Sequence, residues 1–165
     1  MPTLFSQNLG IGMDKAGPMS TITIAASSFL GVIVGGVLSD KWVQINLKGR
    51  IYTSAIGLSL TIPALLLIGY GQTMFHVVGA AFCFGFGYGM FDANNMPILC
   101  QFVSPKFRAT AYGTMNMVGV FAGAMITNIL GKSVDKGSMG NDFAILSGIV
   151  LVALIVQLVF LNPKD

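Results

Sequence analysis

Five apolar runs, each long enough to cross a bilayer, follow one another along this 165-residue chain and constrain its fold more than any motif does. They cover about residues 20–38, 51–69, 75–102, 110–130 and 143–161. A hydrocarbon core of roughly 30 Å takes about 17–25 helical residues to cross. The third run exceeds that and is predicted to tilt, bend or project. None of the runs alternates polar and apolar residues as the strands of a membrane β-barrel do. Helices remain as the structure that satisfies its own backbone in lipid. The expected fold is therefore an all-α integral membrane protein of about five transmembrane helices, with the lipid bilayer as its solvent. Residues 1–19 mix Pro, Gly and polar side chains and read as an external loop, leaving 20–165 as the transmembrane bundle.

Composition agrees. Charged residues make up 9% of the chain, against roughly 25% in a soluble domain. The net charge of +3 comes from basic residues scattered among the junctions between runs, without interleaved aromatics, which excludes a nucleic-acid surface. Glu is absent, and Asp92 is the only Asp inside an apolar run, so no paired-carboxylate site exists. No nucleophile with a base and no metal-ligand cluster falls within the runs, so neither an enzyme nor a cofactor is expected. Cys83 and Cys100 share one predicted helix about 25 Å apart, too far for a disulfide, and read as small buried apolar side chains. His76, the sole histidine, reads as a solvated residue at the outer boundary of the third span.

Cytoplasmic loops carry the Lys and Arg excess. Lys41, Lys48, Arg50, Lys106, Arg108 and Lys164 fall on one side; Lys15, Lys132 and Lys136 fall on the other, offset by Asp14, Asp135 and Asp142. This places residues 1–19 outside and the C-terminus in the cytoplasm of a multi-pass plasma-membrane protein, expected in a bacterial inner membrane.

Gly31 and Gly35 lie four apart on one face of the first span, a spacing that lets a neighbouring helix backbone approach closely. The run continues with Gly36, Leu38, Ser39, Asp40 and Lys41, and then, after WVQINL, with Lys48, Gly49 and Arg50. This pattern resembles the G-x-L-x-D-R/K and G-R signature of a cytoplasmic loop in each six-helix half of the major facilitator superfamily. An anion at a helix C-terminus meets the negative end of the helix dipole and needs a partner, which for Asp40 is Arg50, Lys41 or nothing. The stretch FGYGMFDANNMPILCQFVSPKFRATAYGTMNMVG, together with MPTLF at the start, is similar to the C-terminal half of the anion:cation symporter branch, which carries hexuronates, aldonates and sugar phosphates. The resemblance implies that the five spans are the eighth to twelfth helices, and that MPTLF at the start of residues 1–19 is the external end of a missing seventh helix. It also implies a missing N-terminal half, supplied in cis or in trans, and a solute site between the halves near the midplane.

The resemblance further implies secondary-active transport of a small solute, an organic anion such as a sugar acid, coupled to protons or sodium. The alternative is a truncated or split half-transporter without activity of its own. Tyr88, Asp92 and Asn95 follow i, i+4, i+7 spacing and share a helix face. Asp92 is costly inside a membrane and, with Asn94 and a bend at Pro97, reads as a structural polar cluster, a gate or a solute contact. On the fourth span Tyr112, Asn116, Gly119, Gly123 and Thr127 form a polar and small-residue stripe, with Asn116 similar to a solute-contacting Asn of aldonate carriers and the two glycines read as packing residues. Ser104 and Pro105 read as the N-cap and first turn of that span, where Lys106 and Arg108 oppose the helix dipole. The GFGYG stretch at 85–89 follows no strand and is rejected as a phosphate loop.

Overall fold

The computed structural model describes residues 12–70, 74–136 and 139–163, and every element among them is helical. Five α-helices follow in order: α1 (Met13–Val43), α2 (Gly49–Tyr70), α3 (Met74–Phe102), α4 (Arg108–Lys136) and α5 (Met139–Phe160). A single 3-10 turn, Pro105–Phe107, precedes α4. MPTLF lies outside the described residues.

The first boundary differs from expectation. Helix α1 starts at Met13, not near residue 20. Asp14 in its first turn faces the positive end of the helix dipole. Pro18 lies in the second turn, where it removes the N–H that would bond the Asp14 carbonyl. At its other end α1 runs on to Val43, so part of the apparent WVQINL insertion is helix. The connection that remains is closed locally: the Asn46 side-chain oxygen accepts from the Lys48 N–H at 2.9 Å, and the Gly49 N–H donates to the Asn46 carbonyl at 2.8 Å.

Among the described residues, four stretches, 17–43, 49–70, 105–131 and 140–160, are long and apolar enough to cross a membrane. Helix α3 is the central helix, lying along both α1 and α2, and it carries Asp92, Asn94 and Asn95. At 29 residues it is about 43 Å long, longer than the hydrocarbon layer is thick.

Glycine makes the α1–α3 contact possible. Lipid tails are as apolar as Leu, so close van der Waals packing must hold helices together. Gly31 lies against the Phe86 backbone, and a Cβ at Gly35 would sit 2.8 Å from the Met90 Cα. From the other side, Gly85 and Gly89 meet the backbones of Ile24 and Ser28. Between them in sequence, Gly87 faces the opposite way: a Cβ there would lie 2.5 Å from the Gly57 carbonyl of α2. The GFGYG stretch is thus a two-sided packing seam.

The apolar core gathers Leu65, Ile68, Val77, Ala80, Ala81 and Phe143, from α2, α3 and α5. Helix α4 stands apart. It touches α3 and α5 only lightly, and none of its most apolar window is buried. Gly119 and Gly123, read as packing residues, have no neighbouring atom within contact distance of an added Cβ among the described residues.

Candidate solute-binding face

Tyr88, Asp92 and Asn95 share one face of α3, as their spacing predicts. Tyr88 and Asp92 are exposed, Asn95 is half-buried, and the Asn95 amide donates to Asp92 Oδ1 at 3.4 Å. Tyr88 stacks on Phe84 with ring centroids 6.5 Å apart. It also lies within electrostatic reach of Asp92 and of Tyr112 on α4. The structure therefore brings Tyr88, Asp92, Asn95 and Tyr112 together. Asn116 lies one turn further along α4 and is exposed.

Asn94 leaves this group. It is fully buried, and its amide donates to the Met90 carbonyl at 2.9 Å within α3. Adjacent helix positions are turned by about 100°, so Asn94 and Asn95 serve different surfaces. Pro97 lies inside α3, which continues unbroken to Phe102. Cys83, expected as a small buried apolar group, is exposed; Cys100 is half-buried, and both are free thiols. His76 is exposed near the start of α3, matching a residue at the span boundary.

At the basic end of the bundle, Arg50 Nη2 pairs with Asp40 Oδ1 at 3.0 Å. Asp40 sits in the last turn of α1 and Arg50 in the first turn of α2, each at the helix end that disfavours its charge. The pair relieves both. With Asp40 66% exposed, such a contact stabilises by less than about 1 kcal/mol. Lys41 is exposed beside it and makes no ion pair among the described residues.

Arg108 behaves differently from expectation. Its guanidinium turns back from the start of α4 and donates to the Val103 carbonyl at 3.2 Å and the Cys100 carbonyl at 3.0 Å. The cation thus caps the C-terminus of α3, where the dipole favours it. Ser104 precedes the Pro105 turn, as predicted, yet makes no side-chain cap. Replacing Arg108 by Ala leaves two terminal carbonyls without their charged donor and is expected to cost about 1–3 kcal/mol. Arg108→Lys should recover only part of this, because an ammonium cannot fork across two carbonyls. Thermal melting of the detergent-solubilised variants checks both.

Sequence reasoning missed two further links. Gln157 Nε2 donates to the Ile51 carbonyl at 3.3 Å, joining α5 to α2, and Gln101 Nε2 donates to the Leu47 carbonyl at 3.1 Å. A lone glutamine in an apolar run was the available signal, since polar side chains in membrane helices tend to bond across to a neighbour.

These features agree with one comparison that covers every residue: the model of the Major Facilitator Superfamily matches residues 1–165. The chain belongs to the Major Facilitator Superfamily. It is a multi-pass membrane protein whose helices make up part of a superfamily bundle. A citrate-proton symporter of Klebsiella pneumoniae is 26% identical over 137 residues, covering 79% of this chain and 30% of the symporter. The chain thus spans about a third of that relative's length. No solved structure matches it significantly. Among the described residues no group of His, Cys, Asp or Glu could hold a metal ion.

Proposed function

We propose that this superfamily member forms part of a secondary-active transporter for a small organic anion, a sugar acid or a tricarboxylate, that works by alternating access and is coupled to protons or sodium. The observation that carries the reading is the polar surface formed by Tyr88, Asp92 and Asn95 of α3 with Tyr112 and Asn116 of α4. Helix α4 has no buried part in its apolar window, and polar groups left facing lipid are unfavourable. A water-filled, solute-binding cavity removes that conflict, with a second bundle as its opposite wall. No Lys or Arg lies deep in the five helices, so the cation that meets the anion comes from that opposite bundle. Citrate, named for the relative, supports an organic anion and proton coupling, and Asp92 is the acid available on this side.

Vesicles from cells expressing the chain in its native genetic context, with an acid-outside gradient imposed, should accumulate labelled citrate or gluconate. A one-unit gradient stores about 1.4 kcal/mol per proton, enough for about tenfold accumulation. A protonophore should abolish it, and a deletion strain should lack it. Accumulation driven only by a sodium gradient would assign coupling to sodium. Uptake of neither acid would overturn the organic-anion reading.

For orientation, the excess of Lys and Arg at the end holding Lys48, Arg50 and Lys106 supports a cytoplasmic placement of that end in a bacterial inner membrane. The N-terminus is then outside and the C-terminus inside. Single cysteines at Gln44 and Asn141, in a Cys-free background, should react with an impermeant maleimide from the cytoplasm and from outside respectively. The reverse pattern would invert the topology.

A further inference from the structure

A cavity of about 510 Å³ opens among α2, α3, α4 and α5 at the end of the bundle that carries Lys48 and Lys106. Its walls are almost wholly apolar, with Phe91, Ile98, Leu99, Val156 and Phe160 prominent. Its volume is that of a small-molecule site, and such sites are apolar with a few placed polar groups. Here one polar group stands out. Ser54 lines the cavity, is fully buried, and its Oγ has no hydrogen-bond partner. Ser20, Ser27, Ser39 and Ser147, the other buried serines among the described residues, each donate to a carbonyl three residues back in their own helix. A buried hydroxyl left unsatisfied costs about 1–3 kcal/mol.

The lining restricts what could satisfy it. No charged side chain faces the cavity, so an ionised carboxylate, including the proposed solute, has no counter-charge there. A buried water wants two to four polar partners. The two other polar side chains on the wall each already spend one amide N–H elsewhere, Asn95 on Asp92 and Gln157 on the Ile51 carbonyl, so the wall offers a water few further partners. What fits is an alkyl chain bearing a neutral oxygen that accepts from the Ser54 hydroxyl. Depth agrees, since Ser54 is five residues into α2, about 7 Å from its start, close to the boundary between headgroups and chains. Phe102, Val103, Phe160 and Leu161, at the ends of α3 and α5, surround the same region.

We infer that this cavity is a glycerolipid site: one acyl chain lies among α2 to α5, its ester carbonyl accepts a hydrogen bond from Ser54 Oγ, and its headgroup stays at the surface. Lys48 and Lys106 at the same end favour an anionic headgroup. The cavity shares Asn95 with the proposed solute face, but its lining is neutral and its test uses no transport, so either reading can fail without the other.

The probe is phosphatidylglycerol carrying a diazirine in one acyl chain, incorporated into nanodiscs holding the purified chain. After irradiation, adducts mapped by mass spectrometry should concentrate on Met115, Ala153 and Val156, above the level on Phe29 and Val37 of the exposed α1 surface. Ala153→Phe, which fills the cavity, should lower labelling of Met115 and Val156 by about tenfold and leave α1 unchanged. Ser54→Ala keeps the cavity but removes the hydroxyl, and should reduce co-purifying phosphatidylglycerol by about 2- to 10-fold, the equivalent of one net hydrogen bond. Labelling of the lining no greater than that of α1, as expected if water or another protein helix fills the space, overturns the proposal. Equal labelling in the wild type and Ala153→Phe does so as well.

Discussion

Gly31→Val and Gly89→Val should each lower the melting temperature of the purified chain in detergent by about 10 °C or prevent its recovery as monodisperse material. At both positions the added Cβ meets the backbone of the opposing helix: the Phe86 carbonyl for Gly31, the Ser28 carbonyl for Gly89. A flexible side chain could swing away, but a helix backbone can yield only by moving the whole helix. Overpacking typically costs 1–3 kcal/mol, and collision with backbone puts these two at about 3 kcal/mol or above. For a chain of this size that corresponds to roughly the stated shift. Gly79→Ala on α3 is the control, because an added Cβ there meets nothing within contact distance. Removing a helical glycine should then be neutral or stabilising by up to about 1 kcal/mol. Comparable melting of all three variants would show that α1 and α3 do not pack through these glycines.

The second large effect concerns the solute. Asn116→Ala, in the transport-active protein, should reduce uptake at limiting solute concentration by about 10- to 100-fold, the loss expected when a hydrogen bond to a charged group disappears. Asn128→Ala should change it by less than about twofold. The two asparagines lie on the same helix, and both are exposed among the described residues. Yet twelve residues separate them by about 18 Å along the axis and turn them about 120° apart. Asn116 shares its face with Tyr112, beside Tyr88 and Asp92, whereas Asn128 lies among Phe121, Ala124, Met125 and Ile129. Matched expression, checked by immunoblot of the membrane fraction, separates a site effect from loss of protein. Equal uptake by the two variants would remove Asn116 from the site.

Helix identity, approximate spans and superfamily membership were legible because they depend on local quantities. Apolar runs of bilayer length, the absence of strand alternation, and the Gly36–Arg50 and Phe86–Gly119 stretches can all be read without knowing what touches what. The Asp40 to Arg50 pairing was one of three stated options, because two residues on either side of a short connection have few places to go. The shared face of Tyr88, Asp92 and Asn95 followed from helical periodicity alone.

Contacts between helices were decided only in three dimensions. Gly85, Gly87 and Gly89 look like one motif in sequence but divide between two neighbours, because the rotation per residue turns alternate positions outward on different sides of α3. Asn94 and Asn95 part for the same reason, one into the bundle and one toward the cavity. Arg108 appeared to oppose the dipole of its own helix, and instead its long side chain reaches back across the turn to cap the preceding one. Ser54 looked like any helical serine, but the Ile51 carbonyl three residues back is taken by Gln157, and the Ser54 hydroxyl is left without a partner beside the cavity. Periodicity fixes the direction in which a side chain leaves its own helix, but what it meets there depends on the positions of the other helices.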